Sequence, residues 1–119
     1  MAERLASPRL TDMVEAIERL RSLLEGASLE EFEGDWRKRW LVERGIEILS
    51  EASRHLSDDL KLRHPEIPWR KVAGIGNVLR HDYGRAAPDT LWKLVQDDLP
   101  GLYLVCLQEL KAALKQERS

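Results

Sequence analysis

The sequence predicts an all-α protein, and the spacing of its apolar residues is the first reason. In several stretches leucine, isoleucine and valine recur every three to four positions, which places them on one face of a helix. Glycine, proline and capping residues separate these stretches, and no stretch alternates polar and β-branched residues as a half-buried strand would. We therefore expect an antiparallel bundle of four to five helices that occupies residues 1–119 as a single domain.

The first helix is predicted to begin at Ser7 and Pro8, with the serine as N-cap and the proline in the first turn. Gly26 is suited to end it. Ser28, followed three residues later by Glu31, has the pattern of a capping box for a short turn. The apolar stripe of this helix contains Leu10, Met13, Val14, Ile17, Leu20 and Leu24.

A second helix is expected from about residue 35 to about residue 61, with residues 57–59 able to interrupt it. Gly45 lies within its apolar stripe, which indicates a close contact with another helix. Trp36 and Trp40 lie one turn apart near its start, and both a core position and a place on a dimer surface are open to them. The stripe contains Leu41, Gly45, Ile48, Leu49, Ala52 and Leu56.

A third helix is predicted to start at Pro68 and to end near residues 83–84. A short fourth helix follows Pro88, and residues 97–100 are expected to restart the chain in a last helix. The predicted buried residues are Trp69, Val72, Ile75 and Leu79 in the third helix, Leu91, Trp92 and Val95 in the fourth, and Leu102, Cys106, Leu110 and Leu114 in the last.

The residue inventory gives little support to a metal, a cofactor or a membrane span. Cys106 is the single cysteine, so a disulfide within the chain and a cysteine-based zinc site are excluded, and its apolar neighbours favour a core position. His55, His64 and His81 form no pair at the spacing of a metal site. No apolar run approaches the roughly 18 residues of a membrane span, and no signal core is present, so a cytoplasmic protein is expected.

Charge is distributed unevenly along the chain. The net charge is −2, yet residues 61–93 carry seven Lys and Arg against three Asp and Glu, a local net charge of +4. Chance variation of a solvated surface and a local site for an anion both remain open explanations.

Residues 74–83 within this basic segment contain the strongest candidates for chemistry. Gly74 and Gly76 each cost a helix about 1 kcal/mol relative to alanine. A sequence that keeps both is expected to bring this backbone close to a partner helix or to a phosphate.

Helical spacing groups the polar residues of this segment. Asn77 and His81 share one face, Arg80 and Tyr83 share a neighbouring face, and Arg70 lies earlier on the same helix. A histidine can take the proton of a ribose 2′-hydroxyl or protonate a leaving 5′-oxygen, and an arginine can hold the phosphate between them. These residues therefore suit phosphodiester cleavage without a metal, although a solvated, capped helix end is the alternative.

Several blocks of the sequence, in this order, resemble the HepT-like family of HEPN domains. The resemblance extends from about residue 10 to residue 114, and the order of its I-P-W-R and N-x-L-x-H-x-Y blocks is fairly specific. The blocks cover residues 12–17, 43–52, 67–74, 77–83, 91–92 and 97–100.

The resemblance implies a homodimeric helical bundle that acts as a metal-independent endoribonuclease. It implies the toxin of a toxin–antitoxin pair whose antitoxin is an MNT-type nucleotidyltransferase. The family motif is Arg, four to six residues, His, one residue and Tyr, and it identifies His81 as the catalytic histidine and Tyr83 as a possible acceptor of AMP. The motif arginine commonly falls at position 76, where this chain has Gly76, and neither Arg80 nor Arg70 has the family spacing.

Three functional hypotheses follow from the sequence. The first is an RNA-cleaving toxin with His81 as general acid and base, Arg80 as phosphate clamp, Asn77 as supporting donor, and Tyr83 and Arg70 as phosphate contacts. The second is a catalytically degenerate module that binds nucleotide, RNA or a nucleotidyltransferase. The third is a purely structural bundle with its tryptophans in the core.

Overall fold

The computed structural model describes residues 5–81 and 88–118, and within these ranges the chain forms helices and no strand. The prediction of an all-α fold is confirmed. No helix in the described ranges is long and apolar enough to cross a membrane. The long helices are α1 (Ser7–Leu24), α3 (Trp36–Arg54), α5 (Trp69–His81) and α7 (Leu99–Glu117), and the short ones are α2 (Leu29–Gly34), α4 (Asp58–Leu62) and α6 (Pro88–Lys93).

Helix α1 packs against both α3 and α7, and α3 packs in turn against α5. Two contacts show that α1 and α7 run antiparallel. The Ser7 hydroxyl at the start of α1 donates to Glu117 at the end of α7 over 3.0 Å. The Tyr103 hydroxyl near the start of α7 donates to Glu18 in α1 over 2.7 Å. The predicted antiparallel arrangement is therefore confirmed for this pair.

The signals at the two ends of α1 differ in how well they predicted the structure. Ser7 is the first residue of the helix rather than its N-cap, and Ala6 occupies the N-cap position without a side-chain bond. The Ser7 hydroxyl bonds instead to Glu117 in α7. Gly26 adopts the left-handed φ of 74° expected just beyond a helix end. The Ser28 hydroxyl accepts a bond from the Glu31 N–H over 3.1 Å and begins a complete short helix, α2.

The helix predicted over residues 35–61 is two helices. Helix α3 ends at Arg54, and α4 begins three residues after His55. The Ser57 hydroxyl accepts a bond from the Leu60 N–H over 3.1 Å, so a new N-cap replaces the continuing helix.

The apolar stripe predicted for this helix is correct at Leu49, Ala52 and Leu56, which are buried, and wrong at Leu41 and Ile48. Leu41 and Ile48 are 53% and 36% exposed, whereas Val42 and Ile46 are fully buried. Helix α3 carries apolar residues on two faces, so spacing alone could not tell which face enters the core.

Helix α3 lies closest to α1 at Gly45. A Cβ atom at this position would lie 2.7 Å from Leu20 Cδ2, which is too close for the packing to remain unchanged. The close contact between helices predicted from Gly45 is therefore confirmed.

The predicted restart at residues 97–100 does not occur, because α6 continues into α7 through a π-helical turn over Leu94–Asp98. The Leu99 N–H bonds to the Leu94 carbonyl, one residue further back than in an α-helix. This wider turn lies directly before Pro100, which has no N–H to donate. The helix therefore continues through the proline without a break.

Cys106 belongs to the core, as its apolar neighbours predicted. The residue is fully buried, and burial raises the pKa of its thiol to about 12. The thiol is therefore protonated at neutral pH and is not a nucleophile.

Helix α5 is fixed at its start by an indole. Trp69 Nε1 donates to the Lys61 carbonyl over 3.1 Å and to the His64 carbonyl over 3.0 Å, which ties α5 to the end of α4. Val72 is buried, and the predicted end of this helix at residues 83–84 lies outside the described residues. The other predicted stripe residues, Trp69, Ile75 and Leu79, are half-buried.

Glu109 links the α4–α5 connection to α7. Its carboxylate accepts bonds from Arg63 Nη2 over 2.8 Å and from His64 Nε2 over 2.6 Å. The bond from Arg63, and then that from His64, hold the pKa of Glu109 below its ordinary value of 4.5.

A Glu109→Gln variant is expected to lower the free energy of unfolding at pH 7 by about 1 kcal/mol, since the pair is partly exposed. A lowered carboxyl pKa stabilises the fold above the unfolded value and loses that effect as the pH falls. Urea unfolding should therefore show the difference from wild type shrinking below a pH of about 4.5. A difference that stays constant from pH 7 to pH 3 would contradict this role.

Candidate functional site

The outer face of α5 carries an exposed stripe of residues. Arg70, Gly74 and Asn77 are all exposed, at successive spacings of four and three residues, and position 81 follows four residues later. The structure thus places Arg70 and Asn77 on one open face. The side chains of Arg80 and His81, and the whole of Tyr83, lie outside the described part of the chain.

The opposite face of α5 touches α3 at Gly76. A Cβ atom on Gly76 would lie 2.7 Å from Ser50 Oγ, 2.9 Å from Ser50 Cβ and 3.9 Å from Glu47 Cα. The expectation of a partner helix beside this glycine is confirmed. Position 76, where the family arginine commonly falls, therefore has no room for a side chain in this packing.

Gly74 has a different environment from Gly76. No atom of the described residues lies within 4 Å of a Cβ built on Gly74, and the residue is exposed. Packing inside this part of the molecule therefore does not require the glycine. Its backbone is open to approach from outside.

The carbonyl of Ala73 receives several side-chain hydrogen bonds from α3. Ser50 Oγ donates to it over 2.7 Å, and Arg54 donates from Nε over 3.2 Å and from Nη2 over 2.8 Å. Neither donor is among the site residues that the sequence predicts. The available signal was a polar pair four residues apart, which places Ser50 and Arg54 on the same side of the helix.

These contacts also show that α3 and α5 run antiparallel. Arg54 and Ser50 reach Ala73, whereas Glu47 lies beside Gly76, so earlier residues of α3 lie beside later residues of α5. Glu43 lies one turn before Glu47. Burial raises the pKa of the Glu43 carboxyl, and the charge of Glu47 adds to that rise against the opposing charge of Arg39.

Part of the basic segment is used to hold helices together. Lys71 Nζ lies 2.7 Å from Asp98 Oδ2, which joins α5 to the π-helical turn. Arg63 is paired with Glu109 on α7. Arg70, by contrast, is exposed on the outer face of α5.

Two of the histidines lie beside carboxylates. His55 Nε2 is 3.1 Å from Glu51, and His64 Nε2 is 2.6 Å from Glu109. Over residues 5–81 and 88–118, no group of three or more His, Cys, Asp and Glu side chains could hold a metal ion.

The outer face of α3 exposes large apolar side chains. Trp36 is 50% exposed and Trp40 is 66% exposed, with ring centroids 5.0 Å apart in an edge-to-face arrangement. The Arg37 guanidinium lies 5.3 Å from the Trp36 ring centroid. Leu41 and Ile48 are also exposed and lie on a neighbouring side of the same helix. The hypothesis that places the tryptophans in the core is therefore wrong for these two.

Comparison with protein families gives a match over most of the chain. A family model described as Ribonuclease HepT-like matches residues 13–109. The match spans α1 through the middle of α7 and includes all of α5.

Individual relatives are similar over most of their lengths. A probable ribonuclease HepT of Thermococcus cleftensis is 39% identical over 93 residues, which are 78% of this chain and 84% of that protein. A candidate RNase of Methanocaldococcus jannaschii is 31% identical over 100 residues, which are 84% of this chain and 92% of the relative. No solved structure gives a significant match.

Proposed function

Because this chain belongs to the HepT-like ribonuclease family, we propose that it is a metal-independent endoribonuclease of the cytoplasm. The observation that carries the proposal is the family match over residues 13–109, which contains the candidate helix α5. The open face of α5 supports it, since Arg70 and Asn77 are exposed there and Gly74 leaves the backbone accessible.

The proposed reaction uses the ribose beside the scissile phosphate. His81 takes the proton of the 2′-hydroxyl as the 2′-oxygen attacks phosphorus, and the protonated His81 then gives that proton to the 5′-oxygen as its bond to phosphorus breaks. The products are a 2′,3′-cyclic phosphate and a 5′-hydroxyl. Arg80 holds the phosphate, Asn77 donates a supporting hydrogen bond, and Tyr83 and Arg70 contact neighbouring phosphates.

We further propose that the active form is a homodimer, with the outer face of α3 as its interface. The exposed Trp36 and Trp40 support this, because exposed clustered aromatic residues are typical of interfaces. Helix α5 packs against α3. In the proposed dimer, pairing through α3 therefore brings the two α5 helices towards each other. In this arrangement Arg80 of one protomer holds the phosphate on which His81 of the other protomer acts.

A Trp40→Asp variant is expected to be a monomer in light scattering while the wild type is a dimer, since a carboxylate would enter the apolar interface. Its cleavage of RNA should fall with the loss of the dimer. Leu104→Asp is the matched control, because Leu104 is 63% exposed on α7 and lies off this surface. A dimeric Trp40→Asp protein would place the interface elsewhere.

We also propose that the chain is the toxin of a pair with an MNT-type nucleotidyltransferase, which transfers AMP to Tyr83. Co-expression with a nucleotidyltransferase encoded next to this chain should relieve toxicity. Mass spectrometry should then locate an AMP adduct on Tyr83 that is absent from Tyr83→Phe.

The experiment that tests the ribonuclease proposal is cleavage of a defined single-stranded RNA or tRNA by the purified, unmodified protein in EDTA. Multiple-turnover cleavage with cyclic phosphate ends is the expected result. A folded dimer that cuts nothing would contradict the proposal.

A second candidate function is a catalytically degenerate module that binds nucleotide, RNA or a nucleotidyltransferase. Gly76 favours it, because the motif arginine is missing and the contact with Ser50 leaves no room for one. This candidate predicts RNA binding without cleavage, and binding that depends on Arg70 rather than on His81.

A further inference from the structure

We propose that Ser50 and Arg54 are positioning residues for the active site, acting through the carbonyl of Ala73. In this proposal they fix the place and direction of α5 on α3, and so orient Asn77 and His81 towards RNA. The inference rests on the proposed ribonuclease function, but its structural part can be tested without it.

The first support is the density of hydrogen bonds on one backbone oxygen. Ser50 Oγ, Arg54 Nε and Arg54 Nη2 lie 2.7, 3.2 and 2.8 Å from the Ala73 oxygen. A carbonyl oxygen has two lone pairs, and in a helix one of them accepts the N–H four residues later, so these side-chain donors share the other. Bonds from a charged guanidinium are stronger than neutral ones and define direction as well as distance.

The second support is that the donors are themselves held in place. Ser50 is 2% exposed, so the packing around it encloses its hydroxyl. Arg54 Nη1 lies 3.7 Å from Glu51, whose other oxygen lies 3.1 Å from His55. A donor that is already oriented loses little freedom when it holds α5.

The third support is the glycine beside this carbonyl. In a helix the carbonyl of residue 73 points towards residues 76 and 77, so a side chain at position 76 would shield it. Gly76 leaves that approach open and brings Ser50 to within contact of the α5 backbone. The same glycine that removes the motif arginine therefore permits this linkage.

Because the linkage lies near the start of α5, a small tilt of the helix there displaces the candidate site residues further along it. Asn77 lies one turn beyond Ala73 and His81 two turns, roughly 6 and 12 Å along the helix axis. A tilt of about 5° at Ala73 would move position 81 by roughly 1 Å, and a misplacement of that size can lower a rate by about 100-fold.

Arg54→Met tests the proposal, because methionine keeps an apolar stem and removes every donor. We expect kcat for RNA cleavage to fall about 10-fold while KM changes less than about 2-fold, since the RNA contacts are not altered directly. Arg54→Lys should recover part of kcat, because its ammonium can reach one lone pair of the carbonyl. Ser50→Ala should lower kcat in the same way, since it keeps Cβ and removes only the hydroxyl.

Arg19→Met is the matched control, because Arg19 is exposed on α1 and α1 lies on the other side of α3 from this linkage. It should leave kcat unchanged. Unchanged kcat in both Arg54→Met and Ser50→Ala would overturn the positioning role.

Hydrogen exchange of the backbone amides separates this proposal from the ribonuclease proposal. Arg54→Met should speed exchange in residues 74–81 about 10-fold while α1 and α7 exchange as in wild type. This result would support the linkage even if the wild type cut no RNA. Equal acceleration in every helix, or none in α5, would show that Arg54 does not position α5.

Discussion

Replacing Gly76 by alanine is expected to destabilise the protein by about 1–3 kcal/mol, the range of added volume in a close-packed contact. A Cβ at this position would lie 2.7 Å from Ser50 Oγ and 2.9 Å from Ser50 Cβ. Rotation of the buried Ser50 hydroxyl would relieve only the first contact, so the contact with Ser50 Cβ requires α5 to move away from α3. Urea unfolding of Gly76→Ala against wild type measures the effect.

Gly74→Ala is the matched control for this prediction. No described atom lies within 4 Å of its Cβ, so alanine should only remove the helix penalty of glycine and stabilise the fold by about 1 kcal/mol. Two glycines two residues apart are therefore expected to respond with opposite signs. A stabilising Gly76→Ala would show that α5 does not contact α3 as described.

A double-mutant cycle with Ser50→Gly identifies the atoms responsible. Ser50→Gly alone should destabilise, because it removes the bond to the Ala73 carbonyl and places a glycine in α3. Combined with Gly76→Ala it removes the clashing atoms, so the two changes should cost less together than the sum of the single variants. Additive changes in the free energy of unfolding would mean that Ser50 is not the residue that clashes with a side chain at position 76.

The same contact constrains how this chain could regain the family motif. An arginine at position 76 would begin with the same Cβ, so Gly76→Arg alone should destabilise at least as much as Gly76→Ala. The first compensating change to try is therefore at Ser50 rather than within α5.

His81→Ala is expected to lower kcat for RNA cleavage by about 10²–10⁴, the usual contribution of a general acid or base. The stripe on α5 supports this, because position 81 follows the exposed Asn77 by one turn. Initial rates on one defined RNA in EDTA measure the effect. Thermal unfolding of the variant shows whether it is folded.

Gln108→Ala is the control for this prediction, because Gln108 is exposed on α7 and does not belong to the proposed site. It should cleave within about 2-fold of wild type. Wild-type rates in His81→Ala would remove His81 from the mechanism. Loss of cleavage in both variants would point to folding rather than chemistry.

The sequence by itself determined the helical class and several helix ends. The spacing of apolar residues and the local chemistry of Gly26 and Ser28 act over a few residues, so they can be recognised without the fold. The resemblance to the HepT-like family was also present in the order of its blocks, and the family match over residues 13–109 confirms it. The assignments of Arg80, His81 and Tyr83 remain predictions.

Where two local signals competed, the sequence could not decide between them. Ser57 begins a new helix by accepting the Leu60 N–H, although the apolar pattern around it continues. Pro100 indicated a break, yet the π-helical turn before it keeps the helix continuous. Leu41 and Val42 are adjacent and both apolar, and only packing decides which of them is buried.

Only the tertiary structure separated the roles of Gly74 and Gly76. Both glycines have the same local cost in a helix, but one faces open space and the other touches Ser50 on a helix that precedes it in the chain. The linkage of Ser50 and Arg54 to the Ala73 carbonyl joins residues 19 to 23 positions apart. Such contacts depend on how α3 and α5 pack, because local spacing fixes which residues share a face but not which face meets another helix.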